Sequence, residues 1–278
     1  MAERFFSKRQ WALILGASSG FGGATAIELA RRGMSIFGVH FDRAATQPNA
    51  EKIVDEIKQA GVDVRFFNVN ASDESKRNEL LDAIRKEFDS DSTASLKVLL
   101  HSLAFGTLKP LVASKPEDMI SQKQMEMTLD VMASSLVYWV QGAFVRKLFK
   151  PGSRIFAMTS SGGHSVIPDY GAVSAAKAAL ESNIRQLAME LGPMGITVNS
   201  IMAGVTDTPA LRKIPGSQKM LEVALAKNPA NRLTEPEDVS KAIALLCDDR
   251  ASFISGSVIG VDGGEDIVSY IGQKAATD

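Results

Sequence analysis

The stretch WALILGASSGFG, residues 11–22, decides the fold class, because an apolar run ends there in a glycine-rich turn. The five residues Trp11–Leu15 predict a buried strand. The amphipathic stretch Gly23–Arg32 that follows predicts a helix. A strand, a glycine turn and a helix in this order suit phosphate binding, because the helix N-terminus offers unpaired N–H groups and a favourable dipole.

The same alternation of apolar and amphipathic stretches continues along most of the chain. Further strands are predicted at Met34–His40, Val62–Asn68, Leu96–Ser102, Arg154–Thr159, Thr197–Met202 and Ser257–Val261. Further helices are predicted at Asn49–Ala60, Glu74–Phe88, Gln122–Phe149, Gly171–Leu191 and Glu235–Cys247, with Gly33 and Gly61 as C-caps. The pattern predicts an α/β fold: a Rossmann-type, doubly wound parallel sheet of about seven strands with helices on both faces.

No repeat or linker divides the chain, so we expect one domain over residues 1–278. The segment 208–226 differs from the rest, because it carries Pro209, Pro215 and Gly216 and mixes apolar with basic residues. It is predicted to be a small substrate-binding lid at the carboxyl ends of the strands. An ordinary pair of surface helices is the alternative.

Composition excludes several classes of protein. With 45% hydrophobic residues, 23% charged residues and a net charge of −1, the chain is neither disordered nor a sequence-independent nucleic-acid binder. No run of eighteen uncharged apolar residues predicts a membrane span. A lone Cys247 cannot form an intramolecular disulfide, which favours a reducing, cytoplasmic location. No metal is expected, because the three histidines lack ligand spacing.

The glycine spacing G-x-x-x-G-x-G resembles that of the short-chain dehydrogenase/reductase family, although Leu15 stands where the family has Thr. Val261-Asp262-Gly263-Gly264 extends the resemblance over nearly the whole chain. The resemblance implies a nicotinamide dinucleotide cofactor. The residues predicted to bind it are Gly16, Ser18, Ser19, Gly20, Phe21, Gly22, His40, Arg43, Asn70, Ala71, Ser102, Leu103, Lys177, Thr206 and Thr208.

The residues after the second predicted strand bear on the choice between NADPH and NADH. Enzymes of this family that use NAD carry an acidic residue about eighteen positions after the last glycine, where His40 stands here. Arg43 is close enough to pair with a 2′-phosphate, which favours NADPH. Asp42 argues for NADH if its side chain turns toward the ribose.

Tyr170 and Lys177 are seven residues apart, and seven helical steps come within about 20° of two full turns. Both side chains can therefore lie on one side of a helix. The spacing Tyr-x6-Lys resembles that of the enoyl-acyl-carrier-protein reductases, whereas ketone reductases of the family use Tyr-x3-Lys and would need Tyr at position 173, occupied by Val173. Val166-Ile167-Pro168-Asp169-Tyr170 and His101-Ser102-Leu103-Ala104-Phe105-Gly106 resemble segments of the same reductases.

The resemblance implies a reductase of the C=C bond of enoyl thioesters in fatty acid biosynthesis, with a substrate carried by acyl carrier protein or CoA. Tyr170 would donate a hydrogen bond to the thioester oxygen, and Lys177 would orient the cofactor. Phe105, Gly106 and Tyr170 are the predicted substrate-binding residues.

Ser160 is the third predicted catalytic residue and leaves the assignment open, because a ketone reductase carries its serine at the same position. A 3-oxoacyl-thioester reductase or another ketone or alcohol dehydrogenase is therefore an alternative. Met132 stands where the family's catalytic Asn would align, which counts against it. A non-catalytic nucleotide-sensing protein is a third reading. The family resemblance also implies a homotetramer built through the fourth and fifth predicted helices.

Overall fold

The computed structural model describes residues 5–269, and seven strands lie within them. The strands are β1 (Gln10–Leu15), β2 (Ser35–His40), β3 (Val64–Asn68), β4 (Ser95–His101), β5 (Arg154–Thr159), β6 (Thr197–Ala203) and β7 (Val258–Val261). They form one parallel sheet in the order β3-β2-β1-β4-β5-β6-β7. The predicted doubly wound parallel sheet is confirmed.

Helices cover both faces of this sheet. They are α1 (Gly20–Arg31), α2 (Gln47–Gln59), α3 (Glu74–Asp89), α4 (Gln122–Leu129), α5 (Ser135–Val145), α6 (Gly171–Leu191), α7 (Ser217–Lys227) and α8 (Pro236–Leu246). One buried apolar cluster joins the sheet to α3, α5 and α6, and a second joins it to α1, α2 and α8. Gly33 and Gly61 follow α1 and α2 with positive φ angles of 103° and 72°, which a side chain would strain.

The long helix predicted at Gln122–Phe149 is interrupted in the structure. Residues Asp130–Ser134 form a π-helical turn between α4 and α5, and α5 ends at Val145. Apolar periodicity does not distinguish one wide turn from a continuous helix, because the residues on both sides still face the core. The wide turn matters for the site, since it lies against α6.

The strand order reverses between β1 and β4, which are neighbours in the sheet but not in the chain. In open α/β sheets the ligand crevice lies at such a point, outside the carboxyl ends of the strands. Ser102, just after β4, donates its backbone N–H to the carbonyl oxygen of Leu15 at 2.9 Å. The glycine turn and the segment after β4 therefore meet at this crevice.

The segment 208–226, predicted as a lid, contains a short 3₁₀ turn at Leu211–Lys213 and most of α7. Its closure over a substrate stays a proposal, as does the single domain over residues 1–278, whose first four and last nine residues lie outside the described range. Within residues 5–269, no helix has both the length and the apolar content needed to cross a bilayer.

Candidate active site

Two positions of the glycine turn after β1 have no room for a side chain. Gly16 has a φ of 92°, and a Cβ there would collide with the carbonyl oxygen of Ser102, with Leu103 Cδ2 3.7 Å away. A Cβ on Gly22 would collide with the carbonyl oxygen of Gly16. The turn therefore needs glycine at both positions, as the sequence predicts.

The first turn of α1 faces the same crevice. Ser19 is the N-cap residue, and its side chain makes no capping hydrogen bond. The first N–H groups of the helix are thus available to an anion. Phe21, the other predicted residue of this turn, packs its side chain against the α1, α2 and α8 cluster.

Asp42 lies in the part of the crevice that is predicted to bind the adenosine ribose. Its Oδ2 lies 2.9 Å from Nδ1 of the buried His40, and its backbone N–H donates to Asn68 Oδ1 at 3.0 Å. Burial opposes ionisation of Asp42, but hydrogen bonds from Ser18, Thr46 and His40 outweigh it and hold the pKa of this carboxyl below its usual value. A carboxylate thus lies beside the glycine turn.

The remaining predicted residues of this end have different environments. Arg43 is exposed, and its guanidinium has no side-chain or backbone partner within the described part of the chain. The Asn70 side-chain oxygen accepts a hydrogen bond from the Ser72 N–H at 3.0 Å. Ala71 is buried, and its carbonyl oxygen accepts from Trp139 Nε1 at 2.9 Å, which fixes this segment after β3.

The loop after β6 meets the glycine turn from the opposite side. Thr208 Cγ2 would lie 3.6 Å from a Cβ built on Gly20, and Thr206 Oγ1 donates to the Gly204 carbonyl oxygen at 2.9 Å. Both threonines are buried. The structure therefore brings Thr208 to the glycine turn, whereas the Thr206 hydroxyl is bonded within its own loop.

Glu265 supports this loop from behind and was not predicted from the sequence. Its Oε1 accepts a hydrogen bond from the Val205 N–H at 3.3 Å, whereas its Oε2 is buried without a hydrogen-bond partner among residues 5–269. Burial raises the pKa of Glu265. Its place sixty residues after Val205 gave no sequence signal for the contact.

Lys177 is the buried cation of the site. The side chain is 5% exposed, and Nζ donates a hydrogen bond to the carbonyl oxygen of Met158 at 2.6 Å, at the end of β5. Burial lowers the pKa of Lys177 to about 8, although the charge of Glu181 opposes the shift. Thr159 Oγ1 in turn donates to Glu181 Oε1 at 2.6 Å. A lysine with this pKa still carries its charge near neutral pH.

Tyr170 and Lys177 both lie close to the turn that follows Ser160. A Cβ on Gly162 would lie 2.6 Å from Tyr170 Cε1, and one on Gly163 would lie 3.6 Å from Lys177 Cβ. Tyr170 is the N-cap residue of α6 rather than part of its first turn. Burial raises the pKa of the Tyr170 phenol, an effect that nearby Ser160 opposes. No hydrogen bond of standard geometry reaches the buried Ser160 Oγ within residues 5–269.

Position 173, where a ketone reductase would carry its tyrosine, is filled by a core residue. Val173 is buried against Met132 and Gly106, so that a Cβ on Gly106 would lie 3.0 Å from both Val173 Cγ2 and Met132 Sδ. Phe105, beside them, is 62% exposed and borders the crevice mouth. Among residues 5–269, Tyr170 is the tyrosine that lies against the turn after Ser160.

These residues fit a nicotinamide dinucleotide. Two glycines hold the backbone where a Cβ would collide, an uncapped helix N-terminus faces the crevice, and a buried ammonium lies at its far end. The first two features suit a pyrophosphate, and the ammonium suits ribose hydroxyls. The arrangement can hold a hydride donor and offer one phenol to a developing negative charge.

Comparisons with known proteins agree with this geometry. A family model described as "Enoyl-(Acyl carrier protein) reductase" matches residues 16–265. The chain is 35% identical over 150 residues to the enoyl-[acyl-carrier-protein] reductase [NADH] FabI of Escherichia coli (strain K12). That match covers 54% of this chain and 56% of the E. coli protein, so it spans little more than half of each.

Two further relatives are matched over nearly their whole length. The 1-cyclohexenylcarbonyl-CoA reductase of Streptomyces collinus is 31% identical, with 94% of this chain and 89% of that protein covered. The 3-oxoacyl-[acyl-carrier-protein] reductase FabG of Pseudomonas aeruginosa is 28% identical, with 91% and 96% covered.

A solved structure shows the same fold. The enoyl-[acyl-carrier-protein] reductase (NADH) from Aquifex aeolicus VF5 superposes with a TM-score of 0.79 at 26% identity, covering 94% of this chain and 98% of that one. The comparisons thus support a nicotinamide-dependent reductase fold over almost the entire chain.

Proposed function

Because the chain belongs to the enoyl-(acyl carrier protein) reductase family of short-chain dehydrogenases/reductases, we propose that it reduces the C2=C3 double bond of trans-2-enoyl thioesters in fatty acid biosynthesis. The substrate would be carried by acyl carrier protein or by CoA. NAD(P)H, when bound, supplies the hydride that goes to C3.

The residues of the chain stabilise the charge that this transfer creates. Hydride addition at C3 pushes electron density onto the thioester oxygen, where Tyr170 donates its phenolic hydrogen bond. Burial keeps the phenol protonated, because it raises the pKa of Tyr170. The Lys177 ammonium binds the ribose beside the nicotinamide and places a positive charge near the developing enolate. The enolate then takes up one proton from solvent at C2, which restores the thioester carbonyl.

The packing of Val173 is the observation that carries this proposal. Ketone reduction needs an acid at the oxygen bonded to the carbon that receives the hydride, but the helical position for that acid is a buried valine against Gly106. Tyr170 lies almost one helical turn earlier, which suits an oxygen further along a conjugated acceptor. Ser160 keeps ketone reduction as a second candidate, because its buried hydroxyl lies near Tyr170 and has no other partner within residues 5–269.

NADPH is the proposed cofactor. The Asp42 carboxylate already lies 2.9 Å from His40 Nδ1, and its side chain is only 14% exposed. Arg43 next to it is exposed and has no ion-pair partner in the described chain, so its guanidinium can take a 2′-phosphate. NADH is the alternative, because an ionised Asp42 beside the glycine turn would suit a free 2′-hydroxyl.

A homotetramer is the proposed assembly. Large apolar side chains are exposed on α5 and α6, the helices through which the family resemblance places the contacts. They include Tyr138, Phe144, Val145 and Met189. Burial of such a surface against a second copy would remove apolar area from water.

The activity is tested by comparing crotonyl and acetoacetyl thioesters, on CoA and on acyl carrier protein, with NADPH and with NADH in the same assay. We expect oxidation of the cofactor with the crotonyl thioester and at least tenfold less with the acetoacetyl thioester. The reverse preference would assign the protein to ketone reduction. No turnover with either, despite cofactor binding, would favour the nucleotide-sensing alternative.

A further inference from the structure

His101 is a fully buried imidazole that the proposed reaction does not use. It ends β4, and its ring lies between the sheet and α5, with Nε2 2.8 Å from Ser135 Oγ. The other ring nitrogen, Nδ1, is buried and has no hydrogen-bond partner within residues 5–269. A buried polar atom of this kind needs a partner, because leaving it unpaired costs stability.

The hydrogen bonds of Ser135 determine which ring nitrogen carries the hydrogen. The hydroxyl has one proton, which it donates to the carbonyl oxygen of Val131 in the π-helical turn, 2.8 Å away. Ser135 Oγ must therefore accept from His101 Nε2–H. The ring is then the Nε2–H tautomer, and Nδ1 is a lone-pair acceptor.

The cation whose charge acts on His101 is Lys177. In the register of β4 and β5, His101 is opposite Ala157, and the next residue, Met158, accepts the hydrogen bond of Lys177 Nζ. His101 and the carbonyl group that binds the ammonium therefore lie one residue out of register on two neighbouring strands. Met158 O is the one hydrogen-bond partner of this ammonium within residues 5–269, so two of its three N–H donors are available to other groups.

The positive charge of Lys177 acts on His101. Burial, together with the positive charge of Lys177, lowers the pKa of His101 to about 3, so the imidazole is neutral wherever the enzyme would work. The titratable group that acts on Lys177 in the described chain is Glu181, one turn later on α6, and Tyr170 lies at the start of that helix. A neutral acceptor beside Lys177 stabilises the ammonium without adding charge.

We propose that His101 is a positioning residue for Lys177: Nδ1 accepts a hydrogen bond from one water that the Lys177 ammonium also binds. A bridging water would give Nδ1 a partner, because Nδ1 makes no direct hydrogen bond to Lys177 and both groups are polar and buried. Ser135 and the carbonyl oxygen of Val131 fix the tautomer that makes this possible. The inference rests on the proposed function, since it concerns the lysine that would hold the cofactor ribose.

Two substitutions separate an acceptor from a merely space-filling side chain. His101→Asn keeps a carbonyl oxygen near the position of Nδ1, whereas His101→Leu keeps the bulk and removes the acceptor. Ser135→Ala removes the partner of Nε2–H, so the ring can carry its hydrogen on Nδ1 and lose the acceptor. Ser240→Val, at a buried hydroxyl on α8 across the sheet, serves as a control for loss of core stability.

The first measurement is the pKa of Lys177 in the full chain without cofactor. A ¹³C NMR titration of [ε-¹³C]lysine-labelled protein gives this pKa, and the Lys177→Arg variant assigns the resonance. We expect a midpoint near 8 in the native protein. The midpoint should fall by about half a pH unit or more in His101→Leu and in Ser135→Ala, because the ammonium loses its acceptor. His101→Asn and Ser240→Val should keep the native midpoint.

The second measurement is the pH dependence of the Kd for NADPH. Its weakening at high pH should begin at lower pH in His101→Leu than in the native protein and in His101→Asn. The proposal would be overturned if the pKa of Lys177 in His101→Leu equalled the native value. It would also be overturned if this pKa fell equally in His101→Asn and His101→Leu. If His101→Leu does not fold, an unchanged midpoint in Ser135→Ala would do so. Neither readout needs an enoyl substrate, so failure of the proposed function would show separately, as absent turnover.

Discussion

Val173 on α6 and Gly106 after β4 are in direct contact, with Val173 Cγ2 3.0 Å from the point where a Cβ on Gly106 would lie. Neither position tolerates growth, because each fills the space that the other leaves. Met132 in the π-helical turn closes the same contact. This packing places apolar side chains at the position where a ketone reductase would carry its tyrosine.

The first prediction concerns the packing of Val173 against Gly106. Val173→Tyr should destabilise the protein by about 1–3 kcal/mol, because a larger side chain over-packs a filled core. Urea unfolding measures the effect, and Val166→Tyr is the control, since Val166 is 98% exposed. Equal stability of the two variants would show that the space beside Gly106 is open. The double variant with Tyr170→Phe should not gain ketone reductase activity.

The second prediction concerns the backbone before Tyr170. Asp169 has a φ of 60°, in the left-handed region that favours glycine, asparagine and aspartate. Asp169→Gly and Asp169→Asn should keep the native stability, whereas Asp169→Val should lose about 1–2 kcal/mol. The turnover number of Asp169→Val should fall as well, because the residue sets the position of Tyr170. A fully active and stable Asp169→Val would contradict this role.

The third prediction concerns the choice of cofactor. Arg43→Ala should raise the Kd for NADPH and leave that for NADH within a few fold, because only NADPH offers a phosphate to the guanidinium. Asp42→Asn, which keeps the size of the neighbouring side chain, is the matched variant and should not favour NADH. Fluorescence titration measures both constants. Equal effects of Arg43→Ala on the two cofactors would sink the assignment to NADPH.

The fourth prediction uses Ser160 to separate the two leading reactions. Ser160→Ala should lower turnover of a crotonyl thioester by less than about tenfold, because Tyr170 donates the principal hydrogen bond to the substrate. In a ketone reductase the serine holds the reacting carbonyl, so a loss of several orders of magnitude would assign the protein to that class. Steady-state kinetics with saturating NADPH give the ratio.

Much of the fold was predictable from local pattern. The glycine turn, the seven strands and the bounds of α6 follow from apolar periodicity and from glycines that are required by positive φ or close approach. The π-helical turn Asp130–Ser134 was not predictable, because a wide turn keeps the same residues facing the core.

Within the candidate site, the sequence indicated the residues on single segments but not the contacts between distant ones. The sequence alone indicated that Asp42 would favour NADH and Arg43 would favour NADPH. The hydrogen bonds of Asp42 to Ser18 and His40 were not predictable, because they depend on how β2 meets the glycine turn. Glu265 and Ser135 were missed for the same reason, since each acts through a partner far away in the chain.

The central claim is that the Tyr170 phenol stabilises the enolate of an enoyl thioester. Removal of one such donor costs about 10²–10³ in kcat. The decisive measurement is therefore the kcat of Tyr170→Phe with a crotonyl thioester, beside the Kd for NADPH of the same variant. We expect kcat to fall by about 10²–10³ while the Kd stays within a few fold, because Lys177 and the glycine turn are intact. A native kcat in Tyr170→Phe would show that Tyr170 is not the catalytic donor.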